Sequence, residues 1–183
     1  MKEILRVTTK NNKEESLKLK ELDLSYLDKI MELQKTVVKE IKDKEWYCEV
    51  SKEDFKLYFL KGGRLNGYLN EKEELVALGV YIKNGYDKEN YGYDIGLEGD
   101  DLLKVAQIEA TIVLDEYRGN KLQRIICENF EELAKEDNMK ILAATASPYN
   151  IYSVRNFENL GYRIEKDKMK YGGMRRYVLI KRI

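Results

Sequence analysis

A strand that leads through a basic turn into an amphipathic helix constrains the fold of this chain more than any other feature. Residues 102–113 are rich in valine, isoleucine and alanine, and the basic turn spans residues 117–124. From Leu122 to Ala134, apolar side chains recur at helical spacing. A strand joined tightly to a helix predicts a sheet with helices packed on its faces.

The rest of the chain repeats strand-like and helix-like segments. Alternating apolar residues predict strands at residues 17–22, 64–70, 74–82, 140–146, 162–168 and 176–182. Helical spacing predicts helices at residues 27–41 and 150–160 and a short helix ending at Gly62, with a long loop at 84–101. This order predicts an α/β (α+β) fold in one domain, 1–183, with a single mixed, mostly antiparallel central sheet flanked by helices. The polar residues 1–16 are expected to form either a loosely ordered leader or an edge strand.

Composition argues against several classes of function. Lysine plus arginine equals aspartate plus glutamate at 33 each, so no basic field favours a nucleic-acid partner. No apolar run is long enough to span a membrane and no export signal is visible, which predicts a cytoplasmic protein without a membrane partner. The chain has no histidine, and its two cysteines, Cys48 and Cys127, lie far apart, so we expect free thiols and no metal site.

The turn at 117–124 has the features of a diphosphate site. The start of a helix presents free backbone N–H groups and a partial positive charge, and Gly119 allows a tight turn before it. Cationic side chains surround this helix start at Arg118, Lys121 and Arg124. Asn120 and Gln123 are spaced to cap the first turn. An ordinary basic helix start, or a nucleotide-binding site, would explain the same residues.

A second helix carries polar groups at a matching spacing. Asn150, Ser153 and Phe157 lie at i, i+3 and i+7, on one helical face, and Gly161 closes the helix. The simpler interpretation is a helix cap for Asn150, a solvated hydroxyl for Ser153 and core packing for Phe157.

The turn and the second helix, in this order, resemble the acetyl-CoA site of the GNAT N-acetyltransferase family. That family carries Arg/Gln-x-x-Gly-x-Gly/Ala in the turn; Arg118 matches, whereas Lys121 and Gln123 replace the two small residues. Lys121 is tolerated if its φ is helical, and weakens binding if its φ is positive. In the second helix the family places an Asn, a Ser, often a Tyr that protonates the leaving thiolate, and Gly-Phe or Gly-Tyr. The matching positions are Asn150, Ser153 and Gly161-Tyr162, while Phe157 replaces the Tyr and leaves Tyr149 and Tyr152 as nearby substitutes.

The resemblance implies a GNAT-like N-acetyltransferase that moves an acetyl group from acetyl-CoA to a primary amine by direct attack in a ternary complex. Residues expected to bind acetyl-CoA are Ile112, Val113, Leu114, Arg118, Gly119, Asn120, Lys121, Leu122, Gln123, Arg124, Asn150, Ser153 and Phe157. In this assignment the backbone of 112–114 pairs with the pantetheine arm and the amides of 119–124 hold the pyrophosphate. A non-catalytic acyl-CoA-binding or interaction module on the same fold is the alternative, because Lys121 and Phe157 depart from the family pattern.

Glu109 is the candidate general base, since the chain has no histidine. It lies in the apolar segment 108–112, and strand alternation places it on one face with Gln107 and Thr111. A carboxyl group in such surroundings has a raised pKa, although a solvent-facing strand residue is the plainer interpretation. The resemblance places the acceptor pocket at Trp46, Tyr47, Tyr58, Tyr171, Arg175 and the loop 91–94. This mixture suits a polyamine, an amino acid, a peptide N-terminus or a drug, and a homodimer is compatible with the resemblance.

Overall fold

A computed structural model describes residues 3–183 and contains one mixed sheet. The strands are β1 (Ile4–Thr8), β2 (Glu14–Leu22), β3 (Arg64–Leu69), β4 (Leu75–Ile82), β5 (Val105–Val113), β6 (Ile141–Ala146), β7 (Arg163–Lys170) and β8 (Met174–Arg182). Their order across the sheet is β1-β2-β3-β4-β5-β6-β8-β7. Strands β5 and β6 pair in parallel, and the other neighbours pair antiparallel. The predicted mixed, mostly antiparallel sheet is therefore confirmed.

Helices cover both faces of this sheet. They are α1 (Leu27–Glu40), α2 (Lys52–Leu60), α3 (Leu122–Glu136) and α4 (Ile151–Asn159). Helices α1 and α2 share one buried cluster with Val80 and Ala110, whereas α3 and α4 share another with Val76 and Ile108. No helix within residues 3–183 is both long and apolar enough to cross a membrane.

Helix α3 packs directly on β4 because a glycine leaves room for it. A Cβ atom added to Gly79 would lie 2.2 Å from Cγ2 of Ile126, a distance that no side-chain contact sustains. This close approach fixes the start of α3, and hence the preceding turn, against the centre of the sheet.

The polar N-terminal segment forms an edge strand rather than a loose leader. Strand β1 pairs antiparallel with β2, while residues 1 and 2 lie outside the described part of the chain. The side chain of Asn120, 112 residues further along the chain than Thr8, forms two hydrogen bonds with this strand. Its Nδ2 donates to the carbonyl of Thr8 (2.8 Å) and its Oδ1 accepts from the Thr8 amide (3.1 Å). Asn120 therefore anchors β1, and the predicted capping of α3 by Asn120 is wrong.

A β-bulge in β5 inverts the alternation of its side chains. Gly79 lies opposite Thr111 and Tyr81 opposite Ile108, so two residues of β5, at 109 and 110, share one position of β4. Thr111 consequently bonds to α3, on the face opposite Glu109. The predicted common face of Glu109 and Thr111 is wrong because strict alternation does not survive an inserted residue.

Candidate active site

The parallel strands β5 and β6 separate halfway along their length. Their pairing runs from Val105 with Ile141 to Ile108 with Ala144 and stops at the bulge. A cavity of about 1040 Å³ opens beyond this point. Its walls come from β5, the start of α3, α4, the α1–α2 connection, the loop at 84–101 and β8. This volume is at the upper end of what small-molecule and cofactor sites enclose.

The turn before α3 combines two left-handed residues with an uncapped helix start. Gly119 has φ 91°, and Lys121, the N-cap residue, has φ 60° and ψ 21° with no capping hydrogen bond from its side chain. The first N–H groups of α3 therefore have no intrahelical acceptor. A left-handed conformation costs about 1–2 kcal/mol at a residue with a Cβ atom. Lys121 thus has a backbone conformation that favours glycine. The sequence left open a helical φ or a positive φ for Lys121, and the positive φ is observed.

Most side chains of the turn form contacts with other residues of the chain. Arg118 donates from Nη1 to Asp115 (3.1 Å) and from Nε to the carbonyl of Val113 (3.3 Å), at the cavity wall. Arg124 pairs with Glu128 along α3 (2.8 Å) and does not line the cavity. Leu122 is buried in the core, with Gly119 and Lys121 exposed beside it. The backbone, with Arg118 and Lys121, therefore forms the surface offered to a ligand.

Gln123 joins three elements instead of capping α3. Its Nε2 donates to Oγ1 of Thr111 (2.9 Å) and to Oγ of Ser153 (3.1 Å). Its Oε1 accepts a hydrogen bond from Nδ2 of Asn156 (2.8 Å). Because it connects β5, α3 and α4, Gln123 fixes the width of the cavity where the two strands separate.

Helix α4 presents its first turn to the cavity. Asn150 is its N-cap, and Oδ1 of Asn150 accepts from the amide of Ser153 (3.2 Å). Phe157 is 2% exposed and packs edge-on against Tyr162, with ring centroids 5.1 Å apart. All three residues predicted on this face line the cavity. Asn150 and Ser153 are nevertheless committed to local bonds, and Phe157 belongs to the core.

The backbone of β5 is open to the cavity over only part of the predicted segment. Ile112 and Val113 line the cavity and pair with β4 on their other side. The amide of Leu114 donates to Val76 (3.0 Å), and its carbonyl accepts from Tyr117 (3.0 Å). Leu114 therefore offers no free backbone group, because both of its groups are used within the fold.

Glu109 lies at the bulge, partly buried in the cavity wall. Its Oε2 accepts from the hydroxyl of Tyr91 (2.7 Å) and its Oε1 from Nε2 of Gln107 (2.5 Å). Burial raises the pKa of the Glu109 carboxyl, and the hydrogen bonds from Tyr91 and Gln107 and the charge of Lys170 partly oppose this shift. Glu109 is thus a carboxylate of increased basicity in the cavity wall.

A chain of hydroxyl groups continues from Glu109. Tyr91 Oη lies 2.5 Å from Tyr171 Oη, which lies 2.9 Å from Oγ1 of Thr145 at the end of β6. Burial raises the pKa of both tyrosines, so their hydroxyl groups remain protonated near neutral pH. Lys170 Nζ lies 4.6 Å from the centroid of the Tyr91 ring. The substitutes suggested for Phe157, Tyr149 and Tyr152, are exposed.

The aromatic residues expected at the acceptor pocket line the cavity, but the expected arginine does not. The cavity is lined by Trp46, Tyr47, Tyr58, Tyr91 and Tyr171. Arg175 instead points outward and pairs with Asp167 (2.5 Å), whereas its neighbour Arg176 is 3% exposed and lines the cavity. The alternation of β8 would have identified it, because Arg176 is in phase with the buried Val178 and Ile180. Within residues 3–183 no group of three or more Cys, Asp or Glu side chains is placed to hold a metal ion.

The same fold occurs in solved acetyltransferase structures. The ribosomal-protein-S18-alanine N-acetyltransferase from Escherichia coli has a TM-score of 0.68 at 12% identity, covering 91% of this chain and 94% of that chain. The yncA protein from Salmonella typhimurium, solved with its cofactor acetyl-CoA, has a TM-score of 0.64 at 13% identity, covering 91% and 93%. The GNAT domain of S. lividans PAT has a TM-score of 0.66 at 15% identity, covering 98% and 97%. These identities show likeness of fold.

The sequence itself identifies the family. No protein of curated function matches the chain by sequence. Residues 36–162 match the acetyltransferase (GNAT) family. The matched segment contains Glu109, the turn before α3 and all of α4, and it covers well over half of the chain. The chain therefore belongs to the GNAT acetyltransferase family.

Proposed function

We propose that this protein transfers an acetyl group from acetyl-CoA to a primary amine by direct attack in a ternary complex. The observation that carries the proposal is the position of Glu109. Its carboxylate lines the cavity, and the helix start with free N–H groups opens into the same cavity. A thioester and an amine bound in one cavity would gain rate from proximity, and Glu109 is placed to take up the proton.

The residues present fit acetyl-CoA, which supplies an acetyl thioester when bound. The pyrophosphate fits the amides of 119–124, whose backbone turns through two left-handed residues, Gly119 and Lys121. Arg118 and Lys121 add charge at the cavity wall. The open edge of β5 at Ile112 and Val113, with Asn150 opposite, suits the polar pantetheine arm.

Glu109 would act on the amine. A lysine-like amine has a pKa near ~10.4 and is mostly protonated at neutral pH, so attack requires loss of a proton. The carboxylate of Glu109 can accept that proton directly or through one water molecule. Gln107 and Tyr91 hold the carboxylate in place from both oxygens. Glu109 therefore needs no rearrangement to serve as the base.

Tyr171 is the proposed proton donor on the thiol side. Phe157 has no hydroxyl group, whereas Tyr171 lies in the cavity with its hydroxyl between Tyr91 and Thr145. Its raised pKa keeps the hydroxyl protonated near neutral pH but makes it a weaker acid than a thiol. Transfer to the thiolate is therefore completed by the hydrogen-bonded chain, in which Tyr91 passes to Tyr171 the proton that Glu109 has taken from the amine. A thiol has a pKa near ~8.5, so the leaving thiolate needs only modest assistance.

We further propose that the acceptor is an amine and that the protein acts in the cytoplasm. The related E. coli structure is named as an N-acetyltransferase acting on the alanine of a ribosomal protein. An amine acceptor is consistent with the aromatic and acidic residues that line the cavity here. The thiols of Cys48 and Cys127 are free, which agrees with a reducing cytoplasm as the site of action.

The second candidate is a non-catalytic acyl-CoA-binding module. Two observations favour it: the strained Lys121 in the turn, and Phe157 buried where the family often has a catalytic tyrosine. The discriminating experiment measures release of free thiol from acetyl-CoA with a panel of amines, alongside calorimetric binding of acetyl-CoA. Thiol release that depends on an amine supports the transferase. Binding without turnover on any amine supports the module, and absence of binding contradicts both candidates.

A further inference from the structure

The cavity contains a buried charge that has no charged partner. Arg176 is 3% exposed and lines the cavity from β8. Its Nη1 donates to the carbonyl of Arg175 (2.8 Å), and its Nη2 contacts Sδ of Met174 (3.2 Å). Among the residues described, 3–183, no carboxylate lies within the 4.0 Å that would make an ion pair with this guanidinium.

Arg176 differs in this from the other two arginines of β8. Arg175 pairs with Asp167 and Arg182 pairs with Glu165, both near the surface. A buried cation without a counter-ion is costly, and the cost falls when an anion is bound. A guanidinium has five N–H donors, and the protein supplies two acceptors for Arg176. The remaining donors suit a planar anion bound through two hydrogen bonds.

This charge lies close to the proposed reaction centre. The guanidinium carbon of Arg176 is 5.8 Å from the centroid of the Tyr171 ring, and the Tyr171 hydroxyl connects through Tyr91 to Glu109. The thiol of Cys48 lines the same wall, where burial raises its pKa and the charge of Arg176 opposes that shift. A molecule of modest size can therefore contact Glu109 and Arg176 together.

We infer that Arg176 binds a carboxylate group of the acceptor, so that the substrate is an amine that also carries a carboxylate, such as an amino acid. Glu49 and Glu109 lie within electrostatic reach of Cys48, as Arg176 does, and their charges disfavour a dianionic phosphate more than a monoanionic carboxylate. The inference rests on the proposed function, because it assigns the substrate class of that site.

Turnover of matched acceptors tests whether Arg176 binds a carboxylate group of the substrate. Phenylalanine, phenylalaninamide and phenethylamine form one set, and lysine, lysinamide and cadaverine form another. We expect kcat/KM to favour the carboxylate member of a set by about 10- to 100-fold, the contribution of a charge-assisted hydrogen-bonded pair. Arg176→Met should reduce this preference towards one, and Arg176→Lys should retain part of it. Arg175→Met, which changes the outward-facing neighbour, should leave the preference intact.

Alkylation of Cys48 provides a readout that does not require turnover. Cys48 is partly exposed in the cavity and Cys127 is buried, so N-ethylmaleimide should label Cys48 selectively, and Cys48→Ser confirms the site. In the presence of desulfo-coenzyme A, which has no thiol to react with the maleimide, the carboxylate compounds should slow labelling of the wild-type protein. Arg176→Met should lose this protection, and Arg176→Lys should keep some of it. Thermal melting of each variant establishes that it is folded.

The outcomes separate the inference from the proposed function. If amines are acetylated without a preference for the carboxylate member, the inference fails and the proposed function stands. If no amine is acetylated but carboxylates protect Cys48 through Arg176, the proposed function fails and the carboxylate site stands. If the carboxylate compounds give neither turnover nor protection, the assignment of Arg176 is overturned as well.

Discussion

The two ends of the cavity use the polypeptide in opposite ways. At the α3 turn the backbone faces the cavity, while the side chains of Asn120, Gln123 and Arg124 hold β1, α4 and α3 itself. At the acceptor end, the side chains face the cavity, and Glu109 and Arg176 carry the charge. We therefore expect the turn to tolerate substitution as long as its φ angles are kept, and the proposed acceptor end to depend on individual functional groups.

This difference explains why Lys121 can replace a glycine. The backbone keeps the left-handed conformation at a cost of about 1–2 kcal/mol, and the lysine side chain remains exposed beside the helix start. No comparable freedom exists at Glu109, whose two oxygens are each held by a hydrogen bond.

Removing the charge of Glu109 should have the largest effect. We expect Glu109→Gln to lower kcat/KM by about 10²- to 10⁴-fold near neutral pH, the usual contribution of a positioned base. Acetyl-CoA binding measured by calorimetry should be nearly unchanged, since the α3 turn is intact. Glu89→Gln, which alters an exposed carboxylate lining the same cavity, is the matched control. An unchanged rate in Glu109→Gln would remove Glu109 from the mechanism.

Loss of the Tyr171 hydroxyl should have a smaller effect. Tyr171→Phe breaks the contacts with Tyr91 and Thr145, and we expect kcat to fall by about 10- to 100-fold because a thiolate still leaves tolerably without an acid. Tyr152→Phe is the control, since Tyr152 lines the cavity but is exposed. Equal losses in the two variants would argue against Tyr171 as the proton donor.

Substitutions of Lys121 test the role assigned to the backbone of the α3 turn. Lys121→Gly removes both the charge and the left-handed strain, whereas Lys121→Ala removes the charge and keeps the strain. We expect the glycine variant to be more stable than the alanine variant by about 1 kcal/mol in urea unfolding. Lys121→Ala should also bind acetyl-CoA more weakly than the wild type, because it loses the charge and keeps the strain. Equal stability of the two variants would contradict the backbone strain assigned to Lys121.

The pH dependence of stability gives the smallest expected effect. Burial raises the pKa of Glu109, so the folded protein binds this proton more tightly than the unfolded chain does. The stabilisation is complete below the ordinary glutamate pKa of about 4.3 and is lost as pH rises through the raised value. Urea unfolding at a series of pH values should show this decline in the wild type but not in Glu109→Gln. Identical slopes in the two proteins would mean that Glu109 titrates normally.

The sequence predicted the turn end better than the acceptor end, for a physical reason. The turn and α4 are local motifs, so the spacing from Arg118 to Asn150 and Gly161 was enough to predict a helix start beside a second helix. At the acceptor end, Tyr91, Glu109 and Tyr171 meet only through tertiary pairing.

Individual side-chain directions were the least predictable feature. Alternation placed Thr111 beside Glu109, but the bulge opposite Val80 reverses the phase at this point. Asn120 has the sequence of a cap, yet it bonds to an edge strand 112 positions away. Such contacts depend on the packing of distant segments, which a local pattern does not encode.

A crystal structure with coenzyme A and a carboxylate-bearing amine would test the assignment of the two ends most directly. We predict the pyrophosphate at the amides of 119–124, the pantetheine arm between Ile112 and Asn150, and the amine within hydrogen-bond reach of Glu109 or one water away. A coenzyme bound elsewhere, or an amine remote from Glu109 with the coenzyme in place, would contradict it.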